Sequence, residues 1–441
     1  MVMVRLQRGS STFSPARELS NMKQILIIAY SYPPIMDAQS IRWAYLSREL
    51  IKKGNAVDVL TIQLPDYYKD GLYLVKDVSI HRTYPGPLQS LFFRSKAALQ
   101  VEDKSYQEKR KNRTHQFLRR GYDLLRKGMN FILIPDLRTE WFLFAVFQLL
   151  ILMNRKRYDF LISSHEPGVD HFLGYLAKKF HKIYWIGDFS DPMFTFYTFK
   201  WRQPIDKRIQ GFLLRHMDRI LVTNEGLKKD FLTQYPFLSN DRISLLTQGF
   251  DDELWKKVDV PHTYSEKLRL VYTGTFYRGE RDPSELFKAL SEMDEIDIEL
   301  TIAGRNDEFV TDARKYGLLG NRVNYLGYLK YEESIRIQQE GDVLVHIGNQ
   351  SRNQVPGKVY EYLGARKPIL AILKNPDDEI KDLILRHQRG VVTFDESSKI
   401  KEAIYSLWKL FKKGELTSSF NLSLDDVSPY SWRALSNVLT P

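Results

Sequence analysis

The sequence predicts an α/β protein built from two successive Rossmann-like domains, each a doubly wound parallel sheet, facing each other across a cleft. Three observations predict it. Apolar runs of strand length alternate with helical periodicity through most of the 441 residues. The alternation halts in a polar stretch at 252–267 and starts afresh at Leu268. The length also suits two or three domains. Unbroken apolar runs mark strands buried on both faces, as in parallel sheets. Ligands of such sheets sit beyond the carboxyl ends of the strands, so two sheets point to a site between them. The expected division is a tail at 1–21, a first domain at 22–251, a linker at 252–267, a second domain at 268–424 and a final helix at 425–441.

In the first domain, Gln24 to Ala29 is the opening strand. The turn YSYPPIMDAQS follows, and Ile41, Tyr45, Leu46 and Leu50 then recur at helical spacing, with Gly54 as a stop signal. Val57 to Ile62 is the next strand, which completes a right-handed βαβ unit. The turn holds Pro33, Pro34 and Asp37 and lacks the Gly-x-Gly-x-x-Gly fingerprint, so a dinucleotide is not expected here. Trp141 to Met153 (WFLFAVFQLLILM) is apolar nearly all round. Its 13 residues would span about 20 Å as a helix, too short for a roughly 30 Å hydrocarbon core. We read it as a buried helix in preference to an interfacial one. Strands then follow at Phe160–Ser163, Ile183–Asp188, 219–223 and 242–246, with helices between them.

Composition narrows the chemistry. No cysteine is present, which excludes disulfides, thiolate catalysis and cysteine-held metals. No His-Glu-x-x-His or Asp-x-Asp spacing occurs, so no metal is expected. The formal net charge is +11, and Arg94 to Lys127 holds 11 Lys/Arg against 4 Asp/Glu. Leu118, Tyr122, Leu125 and Met129 fall on one helical face there. Arg155-Lys156-Arg157 forms a second cluster. Two readings stand: a solvated face, or attraction to an anionic membrane surface. Nucleic acid is not expected, because no binding motif accompanies the charge. Residues 1–21 carry no apolar core of signal-peptide length, and Met22 directly precedes the first strand, which suits a start there.

In the second domain, Leu268 to Tyr272 leads into Gly274-Thr275-Phe276-Tyr277-Arg278-Gly279-Glu280-Arg281-Asp282-Pro283. Strands at Ile298–Ala303 and Val323–Leu326 follow. The most informative stretch is 346–373. Val343 to Ile347 is a strand, Pro356-Gly357-Lys358 opens a helix carrying Glu361, and Ile369 to Leu373 is the next strand. That helix start, at the carboxyl edge of a parallel sheet, favours an anion. Lys358 adds charge, and Glu361 can accept from hydroxyls beside it. A diphosphate flanked by sugars fits.

Taken together, ILIIAYSYPP, DFSDP at 188–192, QGFD at 248–251, YTGTFYRGERDP at 272–283, VPGKVYEYLGARKPIL at 355–370 and the YSW segment at 430–432 resemble the retaining glycosyltransferases of family 4, which have the GT-B fold. The resemblance implies a nucleotide-sugar donor bound mainly by the second domain, an acceptor held mainly by the first, no metal or other cofactor, and a final helix crossing back onto the first domain. Glu361 matches the second member of the family's paired-glutamate motif and would accept from the ribose. Asn353 stands where the first glutamate is usual. The Arg–Lys pair of the donor loop reads Thr275 and Arg281. Gly274, Thr275, Val355, Pro356 and Gly357 would line the donor, with Arg281 and Lys358 as the cations on its phosphates. His165 matches a histidine near the donor sugar; a core histidine is the other reading. Asp37, Arg42 and Asp188 would face the acceptor, with structural roles as the competing reading.

The activity this implies is sugar transfer to a saccharide or lipid-linked saccharide in surface glycan synthesis, in the cytoplasm or peripherally at the inner face of the cell membrane. Two alternatives are a nucleotide-sugar epimerase of the same fold and a non-catalytic, membrane-associated partner of another transferase.

Overall fold

The structure is a computed structural model that describes residues 22–65, 76–91, 93, 128, 138–194, 198–257, 265–350 and 355–440. The basic stretch 94–127, the periodic face at 118–129 apart from Gly128, and Asn353 lie outside the described residues.

The first domain runs β1 (Gln24–Ile28), α1 (Ala38–Lys52), β2 (Ala56–Ile62), β3 (Ser79–Thr83), α2 (Trp141–Arg155), β4 (Phe160–His165), α3 (Val169–His181), β5 (Tyr184–Phe189), α4 (Gln203–His216), β6 (Arg219–Val222), α5 (Glu225–Gln234) and β7 (Ile243–Leu245). The strands form one parallel sheet in the order β3-β2-β1-β4-β5-β6-β7. Residues from α2 to α5, among them Trp141, Leu149, Leu173, Leu213 and Phe231, bury one face. Trp43, Tyr45 and Leu46 of α1 bury the other.

The second domain runs α6 (Asp252–Lys257), β8 (Leu268–Thr273), α7 (Ser284–Ser291), β9 (Ile298–Ala303), α8 (Asp307–Lys315), β10 (Val323–Gly327), α9 (Tyr331–Glu340), β11 (Val343–Ile347), α10 (Lys358–Gly364), β12 (Ile369–Leu373), α11 (Glu379–Arg386), β13 (Gly390–Phe394) and α12 (Ser397–Lys412). Its six strands are also parallel, in the order β10-β9-β8-β11-β12-β13. Counted from its own first strand, the second sheet reads 3-2-1-4-5-6 and the first reads the same with a seventh strand added at the edge, the doubly wound order with its switch point between strands 1 and 4. Those points fall between β1 and β4, and between β8 and β11.

The chain then returns through α13 (Leu424–Val427) and α14 (Trp432–Leu435). Trp432, Leu435 and Leu439 join the α1 core of the first domain, and the Trp432 indole stacks on Tyr45 at 5.8 Å. Phe250 N donates to Tyr430 O (3.1 Å) and Trp432 N to Phe250 O (3.0 Å), which ties the returning chain to the outgoing one.

Several expectations need correction. The final segment is a series of short helices instead of one, because Pro429 and the Ser431 cap interrupt it; the Ser431 side chain accepts from Ala434 N. The stretch read as linker begins with α6, whose Trp255 is buried. The helix read as buried is not buried all round. Trp141, Ala145, Leu149, Leu152 and Met153 of α2 face the core, while Leu143, Phe144, Phe147 and Ile151 are exposed.

Candidate functional site

Two contacts bring the carboxyl edges of the two sheets together. Glu379, at the start of α11, accepts from Glu225 N (3.1 Å) and Gly226 N (2.6 Å), the first amides of α5 in the other domain. A carboxylate thus satisfies amides that a helix start leaves unpaired. Gly357 lies against Gln248 of the first domain, where a Cβ would come within 2.9 Å of Gln248 Cγ.

On the second domain, the site forms at the β8–β11 switch point. The loop after β8 turns at Gly274 (φ +154°), which packs on Gly304 (φ +146°). A Cβ on Gly304 would lie 1.9 Å from Gly274 O, so only glycine fits. Asn306 fixes the loop, donating to Gly274 O (2.8 Å) and accepting from Phe276 N (2.7 Å). Arg281 then folds back over it. Its Nε and Nη2 donate to Asn349 Oδ1 (3.1 and 3.0 Å) and its Nη1 to Thr275 O (3.3 Å). Asn349 lies two residues beyond β11, so Arg281 bridges the two strands of the switch point. Ion pairing with Glu280 or Asp282 would have explained Arg281 as surface. Instead Arg278 takes the nearby carboxylates Asp282, Glu308 and Asp312, and among the described residues Arg281 has no carboxylate partner.

Lys358 is the first residue of α10, after Gly357 at the cap. Its Nζ donates to Glu361 Oε1 at 2.6 Å, and Gln338 Nε2 donates to the same oxygen at 2.7 Å. Gln338 also reaches Thr273 Oγ1 at the end of β8 (3.1 Å). Glu361 is nearly buried, so it sits in a fixed arrangement rather than on a free surface. Tyr331 adjoins it, and burial and then the Glu361 charge hold that phenol well above its usual range. His346, on β11, is fully enclosed; burial and then the Arg281 charge lower its pKa to about 3. Val355 and Pro356 lead directly into the helix, with Pro356 buried.

On the first domain, His165 closes β4 at the β1–β4 switch point. Gln39 and Ser190 both donate to its carbonyl, the latter at 3.0 Å. Its ring lies parallel to His171 at 5.9 Å and near Phe189. His171 is held neutral, first by burial and then by His165. Its Nδ1 bonds Ser163 Oγ (2.7 Å), which also receives Trp185 Nε1 (2.8 Å). Asp37 caps α1, accepting from Ser40 N (2.8 Å) and Ser31 Oγ (2.7 Å).

Arg42 and Asp188 correct an expectation. Both side chains are 0% exposed and pair at 2.9 Å, and Arg42 also donates to Leu246 O and Thr247 O. They join α1, β5 and the end of β7 inside the first domain, away from any surface. Asn349, Gln338 and Asn306 were not singled out from the sequence. Asn349 lies within the stretch read most closely, yet an amide between two loops carries no spacing signal.

Among the described residues, no cluster of three His, Asp or Glu side chains could hold a metal ion, and no helix is long and apolar enough to cross a membrane. By sequence, the chain matches no family model and no curated protein. By structure it is similar to sucrose-phosphate synthase from Thermosynechococcus elongatus (TM-score 0.60, 14% identity, covering 95% of this chain and 97% of that one). It is similar to Anabaena HepE, solved with UDP and glucose (0.60, 12%, 95% and 98%). It is also similar to a UDP-N-acetylglucosamine 2-epimerase (0.52, 13%, 95% and 94%). These likenesses extend over both domains, and the fold is GT-B.

Proposed function

We propose that the chain is a retaining glycosyltransferase, moving a sugar from a nucleotide-sugar donor to a saccharide or lipid-linked saccharide acceptor in surface glycan synthesis. The observation that carries this reading is Arg281, a cation with no carboxylate partner among the described residues, held by Asn349 and the Thr275 carbonyl at the switch point of the second sheet. Lys358 follows the neighbouring strand, one turn from Glu361. A half-buried cation held by neutral oxygens suits an anionic ligand. HepE, with UDP and glucose bound, lends support from the same fold.

In the proposed reaction, the bond from the anomeric carbon to phosphate breaks and a bond to the acceptor oxygen forms on the same face. The acceptor proton passes to the departing phosphate oxygen. Charge grows on that phosphate, and fixed donors aimed at it lower the barrier most. Arg281 and Lys358 would supply them without a metal. Glu361 would accept from the ribose hydroxyls, with Gln338 fixing its orientation. Gly274, Thr275, Val355, Pro356 and Gly357 would line the donor, Asn353 would face its sugar, and His165 would border that sugar from the first domain.

The test is transfer with a panel of nucleotide sugars, in EDTA. Wild-type transfer should persist, and Lys358→Ala and Glu361→Ala should each lower it roughly 100-fold with unchanged circular dichroism. Near-normal transfer in both variants would overturn the site assignment. The epimerase likeness favours a second reading, conversion of a nucleotide sugar with no acceptor present. Thr275 and Asn353 motivate a third, a non-catalytic partner, which calorimetric binding of a nucleoside diphosphate would remove.

A further inference from the structure

Helix α2 departs from the rule that a water-facing helix carries charge on its outer stripe. From Trp141 to Asn154 it contains no charged residue, and Gln148 and Asn154 are its only polar ones. Its inner stripe packs on β2, β3 and α3. Its outer stripe, at spacings of three and four, is Leu143, Phe144, Phe147 and Ile151. Leu143 is 65% and Phe147 72% exposed, where core packing would leave almost nothing. Tyr84, at the end of β3, extends the patch and meets Phe144 edge-on at 5.0 Å.

The charges lie at the helix end. Arg155 and Arg157 are exposed, and neither has a carboxylate partner among the described residues. Lys156 between them is taken by Asp58 (2.8 Å). An apolar stripe bordered by exposed arginines matches the boundary between anionic headgroups and acyl chains. A second copy of the chain fits less well. Four or five side chains fall far short of the roughly 20–30 residues a side of a stable interface, and a net charge of +11 repels its like.

The position of α2 gives the patch meaning. Trp141 Nε1 donates to Thr83 Oγ1 (2.7 Å), and the Trp141 ring meets Tyr30 at 5.3 Å. Arg138, just before the helix, approaches Glu166 at 3.7 Å, next to His165. The helix therefore begins on the carboxyl edge that faces the cleft, and Phe147 lies about 10 Å along it.

We propose that the outer stripe of α2 rests in an anionic bilayer and holds the mouth of the cleft at the membrane surface, so that the acceptor carries a lipid anchor. The anchor clause rests on the transferase reading; the membrane clause does not. The probe is full-length protein co-sedimented with vesicles of phosphatidylcholine, with and without phosphatidylglycerol, at low and high salt. Wild type should bind the mixed vesicles, and binding should weaken with salt. Arg155→Ala and Arg157→Ala should each weaken it about fivefold, and Phe147→Glu should lose it at least tenfold. Phe147→Ser serves as a second variant, and both should keep nucleoside diphosphate binding by calorimetry. Wild type that binds nucleotide but no vesicles overturns the proposal while the transferase reading stands. Binding equal in wild type and both Phe147 variants overturns it, as does a dimer that these variants dissolve without any vesicle binding. Vesicle binding without nucleotide binding supports the membrane clause and overturns the anchor clause. Retained transfer to a water-soluble acceptor by Phe147→Glu, with loss only toward a lipid-linked one, supports both.

Discussion

His346 stands behind Arg281 and is held neutral by burial. The native chain refuses a proton that the unfolded chain accepts below about pH 6.5. Acid therefore favours unfolding, and the contribution of His346 is whole above that value and is lost progressively toward about 3. At about pH 5.5 the loss amounts to roughly 1.4 kcal/mol. Denaturant titration of His346→Phe should show a shallower fall in stability between neutral and mildly acid pH than wild type. An equal slope would remove His346 as the source. The same neighbourhood shows what spacing can reveal. Lys358, Glu361 and Arg281 were legible because their motif fixes them on a helix start and a strand-end loop. Asn349 and Gln338 were not, since each acts by bridging elements far apart in the chain. Asp188 stood in a motif too and Arg42 just beyond the first turn, but only burial reveals that they serve the scaffold.

Among the elements, the Arg42–Asp188 pair pins α1 to β5 and to the end of β7. Arg42→Ala would leave a buried carboxylate and two carbonyls without their donor. We expect a loss of about 3–5 kcal/mol in chemical denaturation, and Arg42→Met with Asp188→Leu should recover part of it. The elements read correctly from sequence are those with unbroken apolar runs, such as Ile25 to Ile28 or Ile369 to Leu373. Strand β3 reads Ser-Ile-His-Arg-Thr and lies at the sheet edge, half in water, so its pattern resembles a loop. Helix α2 misled for the opposite reason: its sequence is apolar all round, but only the stripe of Trp141, Ala145, Leu149, Leu152 and Met153 packs on the core.

For the whole molecule, the two-sheet organisation followed from the restart of the pattern at Leu268, whereas nothing in the sequence announced the Glu379 contact between domains. Removing it with Glu379→Ala should cost about 1 kcal/mol, the usual size of a helix cap. A nucleotide sugar that needs both edges should then bind about fivefold more weakly, and small-angle scattering should show a more extended average. Unchanged affinity would mean that the contact plays no part in closing the cleft.

The returning chain beside Phe250 has one more consequence. Two strands cross between the domains at the same place, tied to each other by hydrogen bonds on both sides of Phe250. Because both crossings pass through this one place, any opening of the cleft would have to turn about it.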